Sequence, residues 1–387
     1  MSARSDGRAA VAGTSPRPRV LLASVGDPES PATWSGVTAG VLLALRGLGV
    51  QVTGLDLTLP GVLEQGLLVA GAAPTRNRYD AEAARLTVSV RSALARRRLG
   101  DGAVDGAIQI GSTFTLPTGI PYVTLEDMTV RQGASSHPVF SRMSARGTLA
   151  WEFTRARVYA GARMCTAASH WTADSLIADY GVAPQRVAVV GFGATHIAST
   201  EHRSWSPPRF LFVGIDWERK GGPLLLRAFA HVRERFPDAT LDLVGGHPHV
   251  QQEGVVSHGV LSHGRAEDRE RLGDLFARAS CLVVPSLVEP FGIVYVEAGS
   301  AGIPSIVSGE GGARDTIGPD GGAVVAPGDE QGLLEAMLRL CDQDTARRMG
   351  EAARARAALY TWSKVAERLL RALGLQAPDG RDLAEFL

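Results

Sequence analysis

Short continuous apolar runs alternate with longer amphipathic ones along most of this chain. Residues 19–25 (Arg-Val-Leu-Leu-Ala-Ser-Val) read as a strand buried on both faces, 36–48 carry a helical period that stops at Gly49, and 50–55 begin a second strand. The rhythm continues through strands at 103–111 and 121–125, a helix at 148–162 and a strand at 163–168. A helix capped by Ser169 and a strand from 186 complete the first series. A polar, Pro-terminated stretch at 197–208 interrupts the alternation, which restarts with a strand at 209–214 and a helix running to 236. Strands at 240–245, 254–260, 281–284, 304–307 and 323–326 follow, with helices at 267–279 and 292–301 between them. Helices at 333–340, 345–359 and 362–373 close the pattern. Such alternation predicts an α/β chain with two parallel-sheet domains, 19–196 and 209–361, a linker at 197–208 and a terminal helical segment at 362–387.

Two stretches depart from the rhythm. Residues 1–18 are rich in Ser, Arg, Ala, Gly and Pro without an apolar core, and read as a disordered tail rather than a signal peptide. Residues 80–99 read as one amphipathic helix, with Leu86, Val90 and Leu94 on one face and Arg85, Arg91 and Arg96 to Arg98 around it. That helix is either a surface for anionic membranes or a solvated face; peripheral membrane contact is the less favoured reading.

A chain of 387 residues, 45% of them hydrophobic, suits two cores better than one, and no apolar run approaches the length of a membrane span. With 40 basic and 40 acidic residues there is no dominant field for nucleic acid. Cys165, Cys281 and Cys341 are scattered at spacings that match neither a zinc site nor a disulfide framework, so free thiols in a cytoplasmic protein are expected. Lysine occurs only at Lys220 and Lys364 among the 40 basic residues, which makes each retained Lys worth explaining.

The loop 26–36 is too long and Pro-rich for a Gly-x-Gly-x-x-Gly turn, and no Walker sequence occurs, which counts against dehydrogenases and P-loop enzymes. Glu126 and Asp127 end a strand where open α/β sheets bind ligands, unless Asp127 merely caps the next segment. Arg219-Lys220-Gly221-Gly222 opens a helix directly after the first strand of the second domain, combining a planar fork, a compact point charge and close-approaching backbone. His170 at a helix start either touches a ligand or is structural, and His247 and His249 lack the companions of a metal site. Glu289 sits in a strand-to-helix loop, and Glu297 lies among apolar residues within the helix that begins at Gly292. A carboxylate in such surroundings needs a compensating partner, either a polyol ligand or an Arg elsewhere.

Glu289-x7-Glu297, set in Pro285-Ser286-x-x-Glu289-Pro290-Phe291-Gly292 and followed by Glu297-Ala298-x-x-Ala301-Gly302-x-Pro304, closely resembles the donor-site signature of family 4 retaining glycosyltransferases. These enzymes use nucleotide sugars and have the GT-B fold, two Rossmann-like domains facing each other across a cleft. The resemblance implies an acceptor-binding first domain, a nucleotide-sugar-binding second domain, and a terminal helix that packs back on the first. It implies that Arg219 and Lys220 neutralise the donor diphosphate, that Glu289 holds the transferred sugar and that Glu297 holds the nucleotide ribose. Gly36, Gly214, Phe291, Gly292, Ile293 and Gly312 are expected around the donor, although Gly36 also suits a helix cap and Gly311-Gly312 an ordinary turn. Asp127 is the candidate for orienting acceptor or sugar from the opposite domain. Ile215 stands where many members carry Arg after Gly214.

The expectation is a metal-independent retaining glycosyltransferase, needing no cofactor. Its partners would be a nucleotide-sugar donor and a small-molecule, sugar or lipid-linked acceptor. An epimerase or hydrolase on the same fold, or a silent nucleotide-sugar-binding protein, are the alternatives. The loops 60–78 and 112–119, where acceptor selection is expected, carry no pattern that names the acceptor.

Overall fold

A computed structural model describes residues 17–72, 77–100, 102–137, 140–194, 203–262 and 264–387. Most of the expected tail, and positions 197–202 of the expected linker, lie outside them. In the first half, strands β1 (Arg19–Ser24), β2 (Gln51–Asp56), β3 (Gly106–Ile110), β4 (Tyr122–Glu126), β5 (Met164–Ala167) and β6 (Val187–Val189) form one parallel sheet in the order β2-β1-β3-β4-β5-β6. Its helices are α1 (Val37–Gly47), α2 (Gly61–Ala72), α3 (Arg78–Ala83), α4 (Arg85–Leu99), α5 (Val130–Ser136), α6 (Ala145–Gly161) and α7 (His170–Ala178). The central strands β3 and β4 are buried almost throughout, as expected for apolar runs covered on both faces.

The second half repeats the plan with β7 (Arg209–Gly214), α8 (Gly222–Arg235), β8 (Thr240–Gly245), β9 (Val255–Gly259), α9 (Ala266–Arg278) and β10 (Cys281–Val284). Then come α10 (Ile293–Ala301), β11 (Ser305–Ser308), α11 (Ala313–Ile317), β12 (Gly322–Val325), α12 (Glu330–Arg339) and α13 (Gln343–Ala357). The sheet order is β12-β11-β10-β7-β8-β9, again all parallel. Successive connections change direction between β1 and β3 in the first sheet and between β7 and β10 in the second. Those two switch points are where open sheets of this kind hold ligands.

Helix α14 (Trp362–Leu373) follows the second sheet in sequence but packs against α1, β3, β4 and β5 of the first. Thr361 caps it, and Val365, Leu369, Leu370 and Leu373 are buried beneath it. Burying those four side chains contributes roughly 6–12 kcal/mol before the entropy of ordering them is subtracted. Arg368 fastens the same helix, donating to Val190 O at 3.0 Å and Leu359 O at 2.9 Å.

Two expectations for the first domain need correction. The stretch 60–78 is not wholly loop, because α2 occupies Gly61–Ala72. Residues 80–99 are not one helix: the backbone turns extended at Ala84 (φ −59°, ψ 136°), separating α3 from α4. The buried face of α4 is Thr87, Arg91, Ser92 and Ala95, whereas Leu86 is exposed. Arg91 tolerates burial because its guanidinium reaches Thr113 Oγ1 at 3.0 Å and Glu64 at 3.7 Å.

Candidate active site

A cavity of about 630 Å³ opens between the two sheets. Its second-domain wall is built by two strand-to-helix turns that meet at the β7/β10 switch point. The turn after β7 carries Gly214, Ile215, Asp216, Arg219 and Lys220 to the cavity. Arg219 is held by Asp216 Oδ2 at 3.2 Å and donates to Val288 O at 3.1 Å, so the β10 loop fixes its fork. Lys220 is ion-paired with Glu289, whose Oε2 also accepts from Ser286 Oγ at 3.3 Å. Both side chains are largely buried.

Glu289, Phe291, Gly292, Ile293 and Glu297 line the same wall from the β10–α10 connection. Gly292 caps α10 with a left-handed backbone (φ 80°), and a Cβ there would meet the Tyr295 ring at 2.3 Å. Only glycine fits, and it leaves the positive end of α10 open to the cavity. Glu297 is buried one turn into the helix. Phe291 stacks edge-on against Phe192 at 5.1 Å and Tyr360 at 5.6 Å, tying this wall to the first domain.

The first-domain wall presents Trp34, Ser35, Asp127, Met128 and His137. Asp127 follows β4. The cap of the next helix is Thr129, whose side chain accepts from Gln132 N while Gln132 returns the bond, so the capping alternative for Asp127 does not hold. Burial holds the Asp127 carboxyl above the usual range; Arg155 opposes that rise, and Glu289 across the cavity adds to it. Beneath lies Glu126, paired with Arg155 at 2.5 Å and pushed by burial up to about 7. Arg155 also donates to Tyr159 at 2.9 Å and to Met128 O at 3.3 Å, bracing the segment that presents Asp127. Burial, reinforced by Arg219 and Lys220 and resisted by Asp216 and Glu289, lowers the His137 pKa. His137 is therefore a neutral imidazole near pH 7.

Arg219, Lys220, Glu289, Asp127, Gly214, Phe291, Gly292, Ile293 and Glu297 thus come together in one cavity. Gly36 and Gly312 do not line it. Gly36 is buried behind Trp34, Ser35 and Val37, where it caps α1. Gly312 sits at the junction of the domains: its N–H donates to Glu289 O at 2.9 Å, and a Cβ would lie 2.4 Å from Ser169 Oγ. His170 is bound at its backbone by Asp315 at 2.6 Å and serves that junction, not the cavity. Sequence reasoning passed over His137, Trp34 and the Glu126–Arg155 pair. His137 ends α5 beside a proline and looks like any of nine histidines, and Arg155 is one of many arginines on helices.

Residues 207–343 match the family profile "Glycosyl transferases group 1". This segment is a group 1 glycosyltransferase domain. It contains β7 to β12 and both turns that build the second-domain wall. Among curated proteins, the chain is 34% identical over 168 residues to a "GDP-mannose-dependent monoacylated alpha-(1-6)-phosphatidylinositol monomannoside mannosyltransferase" of Corynebacterium glutamicum, covering 40% of this chain and 44% of that one. It is 34% identical over 170 residues to a glycogen synthase of Mycobacterium tuberculosis, covering 41% of each. The chain spans about half the length of the curated relatives it matches. Among solved structures, a sucrose-phosphate synthase from Thermosynechococcus elongatus superposes with a TM-score of 0.68 at 19% identity, over 92% of this chain and 98% of that one. A glycosyltransferase involved in lipopolysaccharide biosynthesis gives 0.61 at 16% identity over 90% and 99%. The whole described chain therefore has the GT-B fold, with the group 1 domain as its second half.

Proposed function

We propose that this protein transfers a glycosyl group from a nucleoside-diphosphate sugar to an acceptor hydroxyl, with retention and without a metal. One observation carries the reading: Arg219 and Lys220, the open N-terminus of α10, and the buried Glu289 and Glu297 converge on one wall, facing Asp127 and His137 on the other. Breaking the anomeric bond leaves negative charge on the departing diphosphate. Arg219, Lys220 and the first N–H groups of α10 are placed to stabilise that charge as it develops, which is the role a metal would otherwise fill. Glu289, drawn partly from Lys220 by the incoming phosphates, accepts hydrogen bonds from hydroxyls of the transferred sugar. Glu297 accepts those of the ribose.

Asp127 and the neutral His137 hold the sugar and the attacking hydroxyl from the first domain. The acceptor enters on the face the diphosphate leaves, and a phosphate oxygen takes its proton. Glu289, already engaged with Lys220 and Ser286, then orients rather than attacks.

The test is calorimetric titration with GDP, UDP and ADP, with and without EDTA, beginning with GDP because the corynebacterial relative is named for GDP-mannose. Binding that survives EDTA and weakens in Lys220→Ala and Glu297→Ala supports the reading. Absence of binding, or indifference to both changes, removes it. Turnover of donor without any acceptor would indicate a hydrolase or epimerase instead, and binding with no turnover a silent sensor.

A further inference from the structure

The donor reading fills the β7/β10 switch point and leaves the other one, between β1 and β3, unexplained. There the turn after β1 passes through Trp34 (φ 50°) and Ser35 (φ 54°), the non-glycine residues with left-handed backbone among those described. Gly36 follows at φ 84°, so three successive left-handed residues swing the indole forward. L-residues avoid this conformation, and it persists where surrounding structure imposes it, characteristically at functional sites. The ring is seated on Gly111, the residue directly after β3. Gly111 itself has φ 84°, and a Cβ there would lie 2.9 Å from the Trp34 ring. Despite this support, Trp34 lines the cavity and is 39% exposed. An indole is thus held in the cleft with part of its surface left uncovered by protein. The groups beyond it on the same wall, Ser35, Asp127 and His137, are polar.

We propose that Trp34 is the stacking platform of the acceptor, and that the acceptor end is a six-membered polyol ring, a pyranose or a cyclitol. Such a ring has one face of C–H groups carrying partial positive charge, which suits the electron-rich face of an indole, and a rim of hydroxyls. Its hydroxyls then meet Asp127 and His137, while its apolar face lies on Trp34. An acyl chain offers those polar groups no hydrogen bond. This inference rests on the transferase reading above, which assigns the opposite wall to the donor.

The experiment is saturation-transfer NMR with methyl α-D-mannopyranoside, methyl α-D-glucopyranoside and myo-inositol. Each is added to the full chain saturated with the nucleoside diphosphate that binds in calorimetry. The expected result is saturation of ring C–H protons of one or more probes, weakened about tenfold or more in Trp34→Ala and largely kept in Trp34→Phe. Nucleoside diphosphate affinity stays at the wild-type value in both variants, which also reports that they are folded. Three results would overturn the proposal: equal probe binding by Trp34→Ala, no saturation of any probe by the nucleotide-bound wild type, or a fall in nucleotide affinity in Trp34→Ala, which would make the indole a nucleobase platform. Failure of every nucleoside diphosphate to bind the wild type is a different outcome and defeats the transferase reading itself.

Discussion

Changing Glu289 to Gln is expected to tighten nucleoside diphosphate binding while abolishing sugar transfer. In the cavity the Lys220 ammonium is engaged by Glu289, and their side chains are only 13% and 8% exposed. A diphosphate must draw Lys220 from that carboxylate or share it. A charge-assisted hydrogen bond is worth about 1.5–3 kcal/mol net, so releasing Lys220 from the competition should improve affinity about tenfold, with about a hundredfold as the ceiling. Lys220→Met acts oppositely on binding, weakening it by about 10- to 100-fold, and it leaves Glu289 buried without a counter-charge. Removing one partner of a buried pair costs about 3 kcal/mol or more, so the Lys220→Met protein should also melt early. The double variant Lys220→Met/Glu289→Gln should recover the melting temperature but not the affinity. Calorimetry in EDTA at pH 7.5, run beside a thermal melt of each variant, measures all four cases. Weaker binding by Glu289→Gln, or wild-type affinity in the double variant, would refute the view that these groups compete for one cation at a phosphate site.

Asp127→Asn should lower turnover by about 100-fold or more with nucleotide affinity unchanged, since the residue lines the wall opposite Arg219, Lys220 and Glu289; normal turnover would remove it from the site. Folding raises the Glu126 pKa from its ordinary 4.5 to about 7, so its contribution to stability is complete below pH 4.5 and is lost as pH rises through 7. Glu126→Gln should therefore gain on the wild type between pH 5 and pH 8, by at most about 3 kcal/mol, in paired denaturation curves. Burial pushes the thiols of Cys165 and Cys341 up to about 12 and that of Cys281 well above its ordinary value, so an aromatic disulfide reagent at pH 8 should react with none until the protein is unfolded. Leu369→Ala in α14 should cost about 2–5 kcal/mol and be felt as melting of the first domain, followed by amide exchange in β3 and β4.

The second-domain wall of the cavity was readable in the sequence because its chemistry is local. Glu289, Gly292 and Glu297 lie within one loop and one helix, and Arg219 and Lys220 within one turn, so spacing alone carries their geometry. The strand and helix alternation likewise needed only the periods of apolar residues. The facing wall was legible only at Asp127, which ends a strand; Trp34 and His137 come from two other connections and join it only when the sheet is assembled. Sequence did not separate Gly36 and Gly312 from the cavity-lining glycines, for a related reason. A glycine that permits close approach looks the same whether the approaching group is a ligand or, as with Ser169 and Pro290 beside Gly312, the protein itself. In α4 the pattern misled outright, because the hidden Thr113 and Glu64 make Arg91 an inward residue while Leu86 points to solvent.

The placement of α14 has a consequence for how the chain is made. Its apolar stripe completes the first domain's core together with Val20, Leu22, Val41, Ile108 and Val123, yet it is translated only after all of β7 to β12. At 5–20 residues per second, the first domain waits roughly 10–40 s with that face uncovered while the second domain emerges from the ribosome. A chain stalled between β12 and α14 should therefore be a better client of chaperones that bind exposed apolar surface than one released at full length. The half that folds first cannot finish until the half that folds second has passed it the last piece.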